Sequence, residues 1–127
     1  MSKIIRQVVT FKASPHIIYD MLMSSKKHAV FSDEKAVISL KVGGKFSAYS
    51  GYITGTNVAL LPDRMIVQEW RGSNWPAGHF SVVIFDIQKI KGGTKLLFTH
   101  VNVPESEVAS IGGGWKEHYW DKMKKIL

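Results

Sequence analysis

The closing stretch, Gly114 to Leu127, constrains the fold of this chain more than any other. At helical spacing Trp115, Tyr119, Met123 and Ile126 share one stripe, while Lys116, Glu117, Asp121, Lys124 and Lys125 fall largely off it. Such a segment is a helix with one face to bury. Lysines crowd its last turn, where cations meet the negative end of the helix dipole, and Asp121 stands four residues before Lys125, a pairing that supports helix. Gly112, Gly113 and Gly114 come immediately before it, and each glycine inside a helix costs about 1 kcal/mol relative to alanine. The expectation is therefore a short turn from Glu105 to Ser110 behind Pro104, a hinge or close approach at the glycines, and then the main helix.

Almost everything upstream reads as strand, so the partner of that stripe is a sheet. Ile4 to Lys12 alternates loosely through Ile5, Val9 and Phe11. Ser14-Pro15 then offers a capping hydroxyl followed by proline at the first helical position, and Ile17, Ile18, Met21 and Leu22 make a narrow apolar stripe. Ser24-Ser25 caps a second short helix, with Ala29, Val30 and Phe31 expected inward. From Ala36 onward the punctuation is that of a meander. Turns stand at Val42-Gly43-Gly44-Lys45, Leu61-Pro62-Asp63-Arg64 and Lys91-Gly92-Gly93-Thr94, a loop at Ser73 to Gly78, and Gly55 is a candidate bulge. Val83, Phe85 and Ile87 share one side of a long strand from His79 to Ile90. In the strand that follows, Leu96, Phe98, His100 and Asn102 share a face by the period of two.

Strand, two short helices, about six consecutive strands and a long helix make an α+β topology. Strands joined by short turns pair antiparallel, and a sheet of this length must curve to cover one helix. A flat stripe does not fill a concave surface, which predicts a pocket between the two. Phe46, Trp70, Phe85, Phe98, His100, Trp115, Tyr119 and Met123 are its expected lining, an apolar set suited to a small lipophilic ligand.

Composition narrows the function classes. At 127 residues and 14.3 kDa the chain holds one core, and residues 1–127 are expected to form a single domain. Cysteine is absent, which removes disulfides, thiolate catalysis and cysteine-bound zinc together. No apolar run reaches the 18 or so residues of a membrane span, so a soluble, cytoplasmic protein is expected. The net charge of +7 favours an anionic partner. Its lysines are scattered rather than striped, which speaks for solubility or an acidic protein surface and against nucleic acid.

Trp70, Arg71, Trp75 and His79 form the sharpest cluster. In one reading the Trp75-Pro76 loop is an exposed aromatic edge that binds a partner, with Arg71 presenting its guanidinium to a carboxylate. In the other the two tryptophans close the end of the sheet and Arg71 lies across them. The isomer of the bond before Pro76 is left open. His100 faces inward, where it either orients a ligand or acts as a base, or is a satisfied core histidine. No Ser-His-Asp set, carboxylate pair or His-x-x-x-His spacing accompanies it, so no cofactor, no metal site and no catalytic residue is expected.

Several strings together resemble a known family: Gly43-Gly44-Lys45-Phe46, Gly51 and Gly55, Leu61-Pro62 leading to Ile66 and Trp70-Arg71, Trp75-Pro76-Ala77-Gly78-His79-Phe80, and Gly114-Trp115 with Tyr119-Trp120. They are similar to the carboxy-terminal domain of the activator of the heat-shock protein 90 ATPase, within the helix-grip or Bet v-like superfamily of START-related domains. The resemblance runs from about Ile5 to the end. It implies a curved antiparallel sheet of six to seven strands around a carboxy-terminal helix, and a non-enzymatic, co-chaperone-type domain that contacts heat-shock protein 90 and favours its ATP-hydrolysing state. Eukaryotic activators also carry a separate amino-terminal domain, for which this chain has no room. Relatives in the wider superfamily bind lipids, sterols or polyketides.

Overall fold

A computed structural model of the chain describes residues 2–127. Strand β1 (Ser2–Phe11) is followed by helices α1 (Pro15–Met23) and α2 (Ser25–Ser32), and then by six strands: β2 (Val37–Ile38), β3 (Lys45–Ala48), β4 (Ile53–Leu61), β5 (Met65–Gly72), β6 (Ser81–Ile90) and β7 (Gly93–Pro104). All seven pair antiparallel in the order β1-β7-β6-β5-β4-β3-β2. This is the expected α+β helix-grip fold, with the helices on the concave side.

The serine caps work as their positions suggest. The Ser14 hydroxyl accepts from the Ile17 N–H, and Ser24 both ends α1, through its N–H to the Asp20 carbonyl, and starts α2 by accepting from Lys27. Inside α2 Phe31 is buried as expected, but it is joined by His28 and Ser32, while Ala29 is half-buried and Val30 is 63% exposed.

Gly55 is not a bulge. It pairs in register with Phe46 and Trp70, and a Cβ there would stand 1.9 Å from the Glu69 carbonyl and 2.6 Å from the Phe46 ring, so only glycine fits. The register slips instead between Asn57 and Ala59. Buried Asn57 donates to the carbonyls of Ser39 (2.7 Å) and Lys41 (3.1 Å) and accepts from Gln68, tying the 39–44 loop to β4. A second slip moves Asn102 off the face of Leu96, Phe98 and His100. Lys3 pairs with Val103 but Ile5 with His100, so β7 carries one extra residue, and Asn102 takes up the turn at φ 63°.

The largest departure lies at the carboxy terminus. Segments α3 (Val108–Gly114), a π-helical stretch (Trp115–Trp120) and α4 (Asp121–Ile126) run as one rod, with right-handed helical angles at Gly114, Trp115, Trp120 and Asp121. The glycines do not break it. The π turn, in which the Asp121 N–H reaches the Lys116 carbonyl five residues back, changes the buried stripe. Trp115, Tyr119, Trp120 and Met123 face the sheet and Ile126 is 52% exposed. It also gives Asp121 a different partner, Lys116 at 3.0 Å rather than Lys125.

A Cβ at Gly113 would meet nothing within 4 Å. Gly113→Ala should therefore raise the unfolding free energy by about 0.5–1 kcal/mol, read as a higher urea midpoint. A lowered midpoint would mean that the helix needs glycine there.

Candidate functional site

Trp115 sits where the helix meets the sheet. Its ring lies 4.4 Å from Phe98, 5.6 Å from Trp70 and 5.8 Å from Phe85, and it stacks on Trp120 at 5.6 Å, the two rings one π turn apart. Its indole N–H donates to Nδ1 of His100 at 3.0 Å. That bond leaves the proton of a neutral imidazole on Nε2, which donates to the Ser81 hydroxyl at 2.7 Å, and Ser81 donates in turn to the Trp70 carbonyl at 2.7 Å. Every side-chain polar atom of this Trp115–His100–Ser81 relay is satisfied by protein. Burial pushes His100 down to about 3. It is therefore a neutral core histidine that orients Trp115, and it offers no free nitrogen to a substrate.

Two further ties hold the helix. Gln7 in β1 donates to the Gly112 carbonyl (2.9 Å) and accepts from the Trp120 indole (2.6 Å). His28 in α2 lies 2.8 Å from the Tyr119 hydroxyl, and burial pushes it down to about 4. Its Nδ1 has no partner among the described residues. On the other side, the Tyr49 hydroxyl donates to the His118 carbonyl, and desolvation raises the Tyr49 phenol. Tyr49 and Ser50 both hold left-handed angles, φ 52° and 56°, which turn the chain from β3 into β4 under the helix.

A cleft of about 620 Å³ opens beside this latch, within the range of small-molecule sites. Trp70, Trp115 and Tyr119 form its floor. Tyr49, Tyr52 and Ile53 line the sheet side, and Ser110, Gly113, Gly114, Glu117 and His118 line the helix side. Gly113 and Gly114 thus leave room where side chains would stand.

Of the residues expected in a pocket, the cleft brings together Trp70, Trp115 and Tyr119. Phe46 and Phe85 border only a second void of about 10 Å³, barely enough for one water. Phe98, His100 and Met123 line neither and are fully buried. The stripe fills the hollow of the sheet because three large rings face it where a plain α-helix would present two. The cleft lies to one side of this seam. Tyr49 and Tyr52 went unnoticed because their roles depend on the φ-positive corner beside them; Gln7 and His28 looked like ordinary polar residues.

Trp75 is not an exposed edge. It is 4% exposed, 5.4 Å from the Trp70 ring, and roughly parallel to His100. Arg71, half-buried at the end of β5, reaches across the same loop, donating to the carbonyls of Trp75 (2.8 Å) and Pro76 (3.1 Å) with its guanidinium 5.9 Å over Phe80. His79 Nε2 lies 2.9 Å from the Asn102 carbonyl. The three residues clamp the 73–80 loop, and the bond before Pro76 is trans. The loop shows Ser73, Asn74, Pro76, Ala77, Gly78 and Phe80 to solvent, and Pro76, Ala77 and Phe80 are its exposed apolar side chains.

Residues 12–127 match the family model of the Activator of Hsp90 ATPase homolog 1-like protein. The chain belongs to this family. It is 33% identical over 116 residues to an activator of 90 kDa heat shock protein ATPase homolog from Dictyostelium discoideum, covering 90% of this chain and 30% of that protein. It is 28% identical to homolog 1 from Homo sapiens, covering 93% and 35%. The chain thus spans about a third of the length of these curated relatives. Among solved structures, an HSP90 activator from Plasmodium falciparum matches with a TM-score of 0.90 at 26% identity, over 100% of this chain and 96% of that one. Among the described residues no helix is long and apolar enough to cross a membrane.

The two buried histidines make stability depend on pH. Their folded values, about 3 and about 4, lie below the roughly 6.5 of an unfolded histidine, so between these limits the unfolded chain binds more protons. The stability they contribute is full above about pH 6.5 and is lost as pH falls toward 3. Urea midpoints measured from pH 7 to 4 should fall with a slope near pH 5 approaching two protons; a flat profile would contradict the buried neutral pair.

Proposed function

We propose that this chain is a non-enzymatic, co-chaperone-type domain that binds Hsp90 and stimulates its ATPase, acting in the cytosol as part of the stress response. The observation that carries the reading is family membership along residues 12–127, together with the likeness over its whole length to a known Hsp90 activator. The charge of +7 suits an acidic chaperone surface. The packing of His100 supports a non-catalytic role, since a general base needs an accessible nitrogen. Contact through the 73–80 loop fits best at Pro76, Ala77 and Phe80, with Arg71, Trp75 and His79 holding the loop's shape. Added to Hsp90 from the same organism, the protein should raise steady-state ATP hydrolysis in a salt-sensitive manner, and Phe80→Asp should weaken the effect at least tenfold in apparent affinity. Absence of both stimulation and binding at tens of micromolar would overturn the reading.

A second reading is favoured by the cleft: the domain takes up a small lipophilic ligand between the helix and the β3–β5 side of the sheet. Its aromatic floor and its volume suit a molecule of that class. Native mass spectrometry of freshly purified protein should detect a retained hydrophobic molecule that Gly113→Leu, which fills the cleft from the helix side, displaces. Retention by the filled variant would remove this reading.

A further inference from the structure

Lysines that stand far apart in the sequence are brought to one corner of the molecule by the fold. The β6–β7 hairpin carries Lys89, Lys91 and Lys95, and β1, which pairs with β7 through Phe11 and Thr94, leads into Lys12 beside it. The approach is close: a Cβ on Gly93 would stand 2.0 Å from the Phe11 carbonyl oxygen and 3.3 Å from the Lys12 Cα. The carboxy-terminal rod ends at the same place. Trp120 meets Phe11 edge-on at 6.4 Å, and the Lys124 ammonium lies 6.0 Å from the centre of the Phe11 ring, with Lys125 next to it in the last turn of α4.

None of these lysines is in a salt bridge among the described residues. The carboxylates on the adjoining elements are held by other groups. Asp20 is paired with Lys27, Asp63 with His16 at 2.9 Å and Asp121 with Lys116 at 3.0 Å. Asp86, diagonal to Lys95 on the convex face, accepts from the Gln88 amide at 3.2 Å. The corner therefore keeps a positive excess. Two apolar side chains stand out among the lysines: Ile90, 37% exposed at the mouth of the hairpin, and Ile126, 52% exposed at the end of the helix.

We propose that this corner docks on the surface of an anionic lipid bilayer. The lysines face the charged headgroups, and Ile90 and Ile126 enter the boundary between headgroups and acyl chains, the combination of charge and apolar burial that holds a protein reversibly on such a surface. The mixture of residues selects this partner. An acidic protein segment would answer the lysines and leave both isoleucines against charge. A single-stranded nucleic acid stacks its bases on exposed rings, and the ring at this corner, Phe11, is buried beneath Lys124. The docked orientation leaves the rest of the molecule accessible. The β3–β4 turn with Tyr49 and Tyr52 at the cleft, and the 73–80 loop between β5 and β6, lie at the opposite ends of the strands.

Vesicle co-sedimentation tests the proposal, with phosphatidylcholine alone and with about 30% phosphatidylserine added. The protein should pellet with the anionic vesicles at about 1 mM lipid, stay in solution with the neutral ones, and be released as salt rises from about 0.1 M to about 0.5 M. Lys91→Glu and Lys124→Glu should each weaken partitioning at least fivefold, and so should Ile126→Asp, all three without change in the circular dichroism spectrum. No binding to the anionic vesicles, or equal binding to both kinds, would overturn the proposal. So would an Ile126→Asp variant that binds as the parent does while the lysine reversals release it, since charge alone would then be read and an acidic protein segment would be the better partner. Phe80→Asp should leave vesicle binding unchanged, and stimulation of Hsp90 is measured without vesicles, so failure of either reading is told apart from failure of the other.

Discussion

The hydrogen bond from the Trp115 indole to His100 joins the two halves of the molecule, and the rest of the packing is arranged around it. The helix brings a ring too large to rotate freely in a packed core, and the sheet brings a histidine held neutral by burial. Ser81 and the Trp70 carbonyl fix which imidazole nitrogen accepts. Because the chain of donors ends on a backbone carbonyl of β5, the orientation of Trp115 is set by three strands at once. Removing either partner would leave the other unpaired in a dry interior, which costs more than the bond itself contributes.

The π turn follows from the same demand. A regular helix would bring Trp115 and Tyr119 to the sheet and carry Trp120 toward solvent; one wider turn admits all three, with Trp120 reaching Gln7 and Tyr119 reaching His28. Poorer helical hydrogen bonding is offset by the added burial of the Trp120 side chain, worth on the order of 2 kcal/mol. The wider turn also leaves the His118 carbonyl available to Tyr49, and that contact stands at the rim of the cleft. Structural anchoring and the rim of this cleft therefore involve the same local distortion.

This arrangement explains why the candidate site was only partly legible. The inward direction of Phe98 and His100 followed from strand period, and the aromatic stripe from helical period. Whether such residues enclose space or fill it depends on ring contacts between segments far apart in sequence, and here Phe85, Phe98 and Trp120 fill it around Trp115. Trp75 shows the same limit from the other side. From the sequence Trp75 was either an exposed edge or a closure of the sheet's end, and the tertiary packing, with Arg71 bonded to the loop's carbonyls, decides for the second.

By itself the sequence determined the α+β class, the antiparallel meander, both serine caps, the family, and Trp115 as part of the terminal helix's buried face, because each rests on local period, local turn chemistry or a contiguous string. Tertiary structure alone decided the rest. The glycine run stays helical since adjoining turns are held to Gln7 and the sheet, the bulges fall at Asn57 and Asn102 rather than Gly55 because cross-strand register places them, and the opening lies beside the aromatic seam rather than within it. A choice that depends on what a distant segment brings into contact is not written in the residues around it.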